Sequence, residues 1–378
     1  HSNVFLYFHI GGDENEGKHW NENKEIQQFK EKLDLKTNHD LQTYFNVRLE
    51  RILKKLDKKL MGWDEIMTPT MPTTAVIHSW RGENEGLPKG GSLISAAKKG
   101  YQTVLSNGYY IDRMLSVKHH YSVDPIGDVE LTSEEQKRIL GGEATMWSEL
   151  TTPLTIDSRI WPRTAAIAER FWSPKEVNDV DAMLRRLNDI NKKLEELGIT
   201  HIKNRAVILR NLNSNEDNTA LETLSRLCEP LKIYSRNEGG TEYKTFSPFT
   251  LFADACVADA AYAVPFNKNV ADLIKNGTPD IENFIKTDLK KWSEIQKDFL
   301  KIHKNPNTKP LESLSKNLSS SSKILLNALS TKKITQAELT KLNTMLTRIE
   351  APFLDTELAI VSALNQLSTY CETNFLDK

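Results

Sequence analysis

Two adjacent carboxylates, Asp13 and Glu14, follow two glycines at the end of an apolar stretch that runs from Val4 to Ile10. The β-branched and aromatic residues of this stretch predict a buried strand. Acids at the carboxyl end of such a strand suit general acid–base chemistry at the mouth of a parallel sheet. The two glycines permit a bend that directs both carboxylates into one pocket, whereas neighbouring side chains on a regular strand point to opposite faces.

The same two acids also have a simpler interpretation. In this interpretation Asp13 and Glu14 only cap the next helix, because acidic residues favour a helix N-terminus. The short motif Gly-Gly-Asp-Glu does not by itself decide between the two interpretations, since motifs of this length occur by chance.

Four further predicted strands end in or run into aromatic residues. These residues, most with a carboxylate close by, are Trp63 with Asp64, Trp80, Tyr109 and Tyr110 with Asp112, and Trp147 with Glu149. Indole rings stack on the C–H faces of a sugar and carboxylates bind its hydroxyls, so this set favours a sugar pocket. A single tryptophan is more typical of core packing, and it is the repetition at equivalent strand ends that favours a pocket.

The elements that would position these residues alternate along the chain. The predicted strands at 4–10, 60–65, 75–80, 102–106 and 139–149 are separated by helical patterns, the strongest of which covers 37–56 with its apolar face formed by Leu41, Phe45, Leu49, Ile52, Leu53 and Leu56. Alternation of this kind is typical of an α/β protein with a parallel sheet or barrel. Beyond a boundary at 213–218, helical periodicity dominates at 284–303, 311–329 and 337–374, with an interruption at Ser319 to Ser322. This second region predicts a helical accessory domain.

Composition excludes several classes of function. A net charge of −1 over 378 residues gives no field that attracts nucleic acid, so no nucleic-acid partner is expected. The three cysteines are far apart and have no zinc spacing, and we expect neither a metal nor a cofactor. No apolar run is long enough to predict a membrane span.

The stretch from Phe8 to Glu14, followed by Trp20, resembles the signature of glycoside hydrolase family 20, the β-N-acetylhexosaminidases. The resemblance covers about residues 3 to 212. It includes, in order, Trp63-Asp64-Glu65, Trp80, Tyr110-Ile111-Asp112, Gly141-Gly142-Glu143-Ala144 with Trp147 and Glu149, and Trp161-Pro162-Arg163 with Ala168-Glu169-Arg170. It implies a (β/α)8 TIM barrel in which the Asp-Glu pair ends the fourth strand. Residues 1–212 would then be an incomplete barrel, about strands 4 to 8, and residues 213–378 an α-helical C-terminal domain.

The resemblance also implies a reaction. The family releases terminal β-linked N-acetylglucosamine or N-acetylgalactosamine from glycans and chitin fragments, with retention of configuration and through an oxazolinium formed by the substrate's own acetamido group. Glu14 would be the general acid and then the base, and we expect it to be partly buried. Asp13 would orient the acetamido group, and Tyr110 would bind its carbonyl.

The remaining motif residues would bind the sugar. Trp63, Trp80 and Trp147 would wall the pocket, while Asp112 and Glu149 would hold sugar hydroxyls. His9 would either support the site or be a core histidine with satisfied hydrogen bonds. No role is implied for His78, His119 and His120, which are predicted to be structural or on the surface.

The chain departs from the family pattern at its start. Three earlier strands and an arginine that binds the terminal sugar have no counterpart, and five strands cannot close an eight-stranded barrel. Open edges would expose apolar surface and unpaired backbone groups. We therefore expect either the C-terminal part of a longer enzyme or association with a second chain. Family relatives of this type suggest a periplasmic, secreted or lysosomal location.

Three alternatives differ in kind from this enzyme. The chain could be an inactive or sugar-binding remnant, which would retain the tryptophans and lose the acid; both acids are present. It could be an interaction module built from the helical region, which would not depend on sugar. It could also be a relative that releases a disaccharide or another sugar, with specificity set by the loops at 81–91 and 113–121.

Overall fold

The computed structural model describes residues 6–83, 87, 89–213, 217–233, 235–238 and 251–377. The chain forms two compact units. Unit 1 comprises His1–Tyr110, His119–Thr145 and Ile167–Asn178, and unit 2 comprises Ile111–Lys118, Met146–Ala166 and Asp179–Lys378. The limits of these units do not coincide with 1–212 and 213–378, because three segments before residue 213 lie in unit 2. The division into a catalytic and an accessory domain at that point stays a prediction.

Unit 1 is built on a five-stranded parallel sheet in the order β1-β2-β3-β4-β5. The strands are β1 Tyr7–His9, β2 Lys59–Trp63, β3 Val76–Ser79, β4 Gln102–Leu105 and β5 Ile139–Gly142. All four pairings are parallel, with Trp63 opposite His78 at the end of β2 and β3. The predicted α/β class with a parallel sheet is confirmed. The last strand is shorter than predicted, and beyond it Thr145 makes an isolated parallel bridge with Tyr110.

Among the described residues up to 178, eight α-helices occur. They are α1 Lys18–Glu22, α2 Lys24–Lys32, α3 Asn38–Lys55, α4 Gly91–Lys98, α5 Val117–Ser122, α6 Ser133–Lys137, α7 Ile156–Ile160 and α8 Arg163–Trp172. Helix α3 begins with a capping box, in which Thr37 and Asp40 each accept the other's backbone N–H, as its sequence predicts. The core of unit 1 packs residues of α3 and α4 against β2 and β3, with Leu53, Leu60, Ile77 and Ala96 among its members.

The edge strand β1 is exposed, and the prediction of a buried strand is wrong for its described residues. Leu6, Tyr7 and Phe8 are 46%, 42% and 56% exposed, because β1 pairs with β2 and no other described strand covers its second edge. Val4 and Phe5 lie outside the described residues. Open apolar surface at an edge strand was the expectation for a sheet of five strands.

Helix α3 is also less buried than its periodicity predicts. Leu41 and Leu53 are buried, whereas Phe45, Ile52 and Leu56 are exposed. These exposed residues lie at spacings of seven and four along the helix, so they form one side of the predicted apolar face. The described part of unit 1 covers only the other side.

Unit 2 is mainly helical. Its later elements are α9 Val180–Glu196, α10 Lys203–Asn213, α11 Thr219–Ser225, α12 Ser235–Glu238, α13 Leu251–Ala255, α14 Ala263–Asn276, α15 Pro279–Ser293, α16 Ile295–Phe299, α17 Glu312–Thr331, α18 Gln336–Glu350 and α19 Val361–Phe375. Two short strands, β6 Cys228–Pro230 and β7 Thr356–Leu358, pair antiparallel. The core gathers large side chains such as Phe266, Trp292 and Leu325.

One helix prediction in unit 2 is corrected. Ser319 to Ser322 do not interrupt a helix but lie inside α17. Their small side chains permit close packing, and the Ser319 hydroxyl donates to the Ser293 carbonyl of α15 over 2.5 Å. The helical periodicity at 337–374 belongs to two helices, α18 and α19, with β7 between them. In the described ranges, no helix is both long and apolar enough to cross a bilayer, and no cluster of side chains offers a metal site.

Candidate active site

The turn after β1 is shaped by backbone conformations that favour glycine. Gly11 and Gly12 have φ values of +72° and +94°, in the region that other residues rarely adopt. A Cβ on Gly12 would lie 2.5 Å from the Cγ2 of Ile66, which follows β2. The Gly11 carbonyl accepts the Trp63 N–H over 2.9 Å, and the Gly12 carbonyl accepts the Gln42 side chain over 2.8 Å. These bonds tie the turn to β2 and α3.

The two acids occupy this turn. Asp13 is half-buried and Glu14 is exposed, with a φ of +48° at Glu14. The expected partial burial of Glu14 is therefore not found among the described residues. The physical reason is the position of the turn, which leaves the edge strand of the sheet. Trp20, the last residue of the motif, lies in α1 and is half-buried.

A cluster of three rings lies at the ends of β1, β2 and β3. Trp63 is buried and stacks on His78, with ring centroids 4.2 Å apart and planes 20° apart. His9 contacts both rings edge-on, at 5.1 Å and 5.4 Å. Burial lowers the pKa of His9. The pKa of His78 is lowered to about 4, first by burial and then by the charge that His9 carries when protonated. His78 is thus neutral at pH 7.

Glu143, directly after β5, approaches this cluster. Its Oε2 lies 4.0 Å from the Nε2 of His78. Burial raises the pKa of the Glu143 carboxyl, although about half of the side chain remains exposed. Sequence reasoning gave neither His78 nor Glu143 a role. The sequence feature that could have indicated a role for His78 is its position, two residues before Trp80 at the end of a predicted strand.

Trp80 is held by the segment that follows β2. Its indole N–H donates to Glu65 over 3.0 Å. The next residue, Arg81, forms a salt bridge of 2.6 Å with Asp64, whose side chain is fully buried, and its guanidinium lies 5.8 Å from the Trp80 ring. Burial raises the pKa of Glu65. The adjacent acids Asp64 and Glu65 therefore position a tryptophan and its neighbour. The loop that starts at Arg81 is described only in part, since residues 84–86 and 88 lie outside the described ranges.

Tyr110 is the last residue of the first segment of unit 1 and is buried. An isolated parallel bridge joins Tyr110, which follows β4, to Thr145, which follows β5. The neighbouring Tyr109 is fully buried, donates its hydroxyl to the Val123 carbonyl over 3.0 Å and contacts the ring of Phe171. Tyr109 is thus a core residue, whereas the backbone at Tyr110 belongs to the ends of the strands.

A second group of predicted site residues belongs to unit 2. Asp112 lies in the short 3-10 turn Ile111–Arg113. Burial raises the pKa of Asp112 to about 6, and the charge of Glu149 contributes to the rise. The Trp147 backbone N–H, which donates to the Asp112 carboxylate, has the opposite effect. The Oδ1 of Asp112 is buried without a hydrogen-bond partner among the described residues. Trp147 and Glu149 are both exposed.

The predicted residues therefore form two groups, one in each unit. Unit 1 brings His9, Trp63 and the acidic turn together at the ends of β1 and β2, with Trp80 and Tyr110 at the ends of β3 and β4. Unit 2 brings Asp112, Trp147 and Glu149 together.

The comparisons with known proteins agree on one family. The model of the glycosyl hydrolase family 20 catalytic domain matches residues 3–175. The β-hexosaminidase of Porphyromonas gingivalis is 32% identical over 213 residues, which are 52% of this chain and 26% of that protein. The β-hexosaminidase subunit beta of Sus scrofa is 32% identical over 203 residues, which are 51% of this chain and 36% of that protein.

One solved structure is similar over nearly the whole chain. The chitobiase of Flavobacterium johnsoniae is 49% identical with a TM-score of 0.89, and the match covers 96% of this chain and 56% of that one. The likeness includes the helical region beyond residue 175, which the family model does not match. The chain spans only part of the length of each of these three proteins.

Proposed function

We propose that the chain, whose residues 3–175 match the model of the glycosyl hydrolase family 20 catalytic domain, hydrolyses terminal, non-reducing β-linked N-acetylglucosamine or N-acetylgalactosamine of glycans or chitooligosaccharides. The observation that carries the proposal is the turn at the end of β1. The glycine conformations of this turn present Asp13 and Glu14 side by side. The Gly11 carbonyl accepts a hydrogen bond from the Trp63 backbone N–H. Adjacent acids beside a tryptophan are what this reaction needs.

The proposed mechanism uses the substrate's own 2-acetamido group as nucleophile. Its carbonyl oxygen attacks the anomeric carbon while the bond to the leaving oxygen breaks, and Glu14 donates a proton to that oxygen. Asp13 accepts the acetamido N–H and stabilises the positive charge of the oxazolinium. Glu14 then removes a proton from the water that opens the oxazolinium, and the configuration is retained. The exposure of Glu14 is compatible with access by both the leaving group and water.

The proposed sugar-binding residues follow from the same family assignment. Trp63, Trp80 and Trp147 would form walls, and Tyr110 would bind the acetamido carbonyl. Asp112 and Glu149 would bind hydroxyls. The buried Oδ1 of Asp112 has no hydrogen-bond partner among the described residues, which supports this role, because a sugar hydroxyl would satisfy it.

We also propose that the sheet continues beyond β1 into a (β/α)8 barrel, with the further strands provided by the same chain or by a second one. The exposed Leu6, Tyr7 and Phe8 of the edge strand support this proposal, because an additional strand would cover them. Residues 1–212 would then contribute to the catalytic barrel and residues 213–378 would form an accessory helical region.

The test is to incubate the chain with the p-nitrophenyl β-N-acetylglucosaminide and, in parallel, with the p-nitrophenyl β-glucoside. We expect p-nitrophenol from the first substrate only, because the glucoside lacks the acetamido nucleophile. Hydrolysis of both would contradict substrate assistance. Hydrolysis of neither substrate would contradict activity of this chain and favour a sugar-binding remnant. Calorimetry with N-acetylglucosamine would then show whether the chain binds the sugar.

A further inference from the structure

His78 has no place in the mechanism above, although its position is unusual for a core histidine. The residue is 2% exposed, stacks on Trp63 and places its Nδ1 3.3 Å from the Nε2 of His9. Its own Nε2 is buried and has no hydrogen-bond partner among the described residues. The nearby Oε2 of Glu143 lies 4.0 Å from this nitrogen.

The hydrogen bonds of His9 determine where the protons of both histidines are. The Gly11 backbone N–H donates to the Nδ1 of His9 over 3.1 Å, so a neutral His9 carries its proton on Nε2. That N–H then donates to the Nδ1 of His78, so a neutral His78 also carries its proton on Nε2. The bonds run in one direction, from the turn at Gly11 to His78, and end in a buried N–H.

The Glu143 carboxylate, with its Oε2 4.0 Å away, is a charged acceptor close to this terminal N–H. An unsatisfied buried donor costs about 1–3 kcal/mol, so its neighbours are expected to satisfy it when they can. The Glu143 side chain is 53% exposed and is therefore free to move. A movement of about 1 Å would bring its carboxylate within hydrogen-bond distance of His78, where a charge-assisted bond would form.

We propose that His9, His78 and Glu143 form a positioning relay, in which Glu143 orients His78, His78 orients His9 and the Trp63 ring, and His9 holds the Gly11 N–H. The relay would couple the orientation of the pocket wall at Trp63 to the backbone of the turn that presents Asp13 and Glu14. None of its three members needs to touch the reacting atoms. The catalytic consequence rests on the proposed function, whereas the proton positions do not.

The first test measures the proton positions directly. Long-range 15N–1H spectra of the full chain labelled with 15N-histidine, assigned by substitution of each histidine, distinguish the two tautomers at pH 7. We expect the Nε2–H form for both His9 and His78. We also expect Glu143→Gln to shift the Nε2 resonance of His78 but not that of His39, an exposed histidine in the first turn of α3. An Nδ1–H tautomer in either histidine, or an unchanged His78 resonance, overturns the relay.

The second test separates positioning from stability. His78→Phe keeps a ring beneath Trp63 but removes both hydrogen bonds. His78→Asn keeps an acceptor for His9 at the position of Nδ1, but its shorter side chain places no donor at the position of Nε2, next to Glu143. On the p-nitrophenyl β-N-acetylglucosaminide, His78→Phe should lower kcat about tenfold with KM changed less than about twofold, since misplacement of reacting groups affects the rate more than the binding. His78→Asn should recover part of the lost kcat, and His39→Phe should match the original chain.

The outcomes of the two tests are distinguishable. An unchanged kcat in His78→Phe, or no recovery in His78→Asn, overturns the positioning role. If His78→Phe does not fold, His78→Asn and Glu143→Gln provide the same decision, because both keep a polar side chain and Glu143→Gln also keeps the size. If the original chain hydrolyses neither substrate, the proposed function fails and the tautomers alone decide whether the relay exists.

Discussion

The end of β1 and the ends of β2 and β3 position their side chains in opposite ways. The turn after β1 carries the half-buried Asp13 and the exposed Glu14, and it is held by backbone hydrogen bonds and by glycines with positive φ. The ends of β2 and β3 hold Trp63, Asp64 and His78 in the interior, each through side-chain contacts. The acids are thus placed by conformation, and the rings around them by packing and hydrogen bonds.

This difference separates the effects that substitutions should have. An exposed acid contributes little to stability, so its loss should appear in the chemistry alone. A buried, paired group contributes to the folded state, so its loss should appear first in the free energy of unfolding. The four predictions below run from the largest expected effect to the smallest.

Glu14→Gln should reduce hydrolysis of N-acetylglucosaminides with poor leaving groups by about 10²- to 10⁴-fold, because the general acid is lost. The loss with a good leaving group such as p-nitrophenolate should be smaller, since that oxygen needs little protonation. The free energy of unfolding should stay within about 0.5 kcal/mol, as for other exposed sites. Kinetics on both substrates and urea unfolding measure this. Glu16→Gln, an exposed acid in the same loop, is the control, and equal losses on the two substrates would contradict the role of Glu14.

Asp64→Asn should lower the free energy of unfolding by about 3 kcal/mol, because it leaves the Arg81 guanidinium without its buried partner. The value is at the low end for a buried pair, since Arg81 is 30% exposed. Urea unfolding provides the measurement. Asp34→Asn breaks the exposed pair with Lys36 and should cost less than about 1 kcal/mol. Equal effects of the two substitutions would refute the distinction between buried and exposed positioning.

Gly12→Ala should lower the free energy of unfolding by about 2 kcal/mol, from its positive φ together with the contact that the new Cβ would make with Ile66. Gly127→Ala is the matched control. Gly127 also has a positive φ but has open space around its Cβ, so only the conformational cost of about 1 kcal/mol applies. If Gly127→Ala proved the more costly change in urea unfolding, close packing of the turn on Ile66 would be refuted.

His78 should titrate with a pKa of about 4 in the folded chain, compared with about 6.5 when unfolded. The unfolded chain therefore binds more protons between these values, and the His78 contribution to stability is lost as the pH falls from about 6.5 to 4. The NMR titration of the His78 ring measures the pKa directly. His39, on an exposed helix turn, serves as the internal reference. A titration midpoint of His78 near pH 6.5 would contradict the burial of the His78 ring.

Local sequence patterns predicted much of unit 1. Apolar runs bounded by Gly, Pro and acids predicted all five strands, because a strand buried in a parallel sheet must be apolar on both faces. Thr37 and Asp40 predicted the start of α3, because a capping box needs only residues three apart. Gly11 and Gly12 predicted the turn that carries the acids, since few other residues adopt its φ values.

Other features depended on neighbours that are remote in sequence. The apolar character of Phe8, Phe45 and Ile52 specifies a preference for burial but not a partner, and so it did not reveal their exposure. The serines of α17 look like a linker until their packing against α15 is known. The roles of His78 and Glu143 arise because β1, β3 and β5 bring residues separated by more than sixty positions to the same end of one sheet. Composition and periodicity determine which elements form, whereas the pairing of those elements determines which side chains meet.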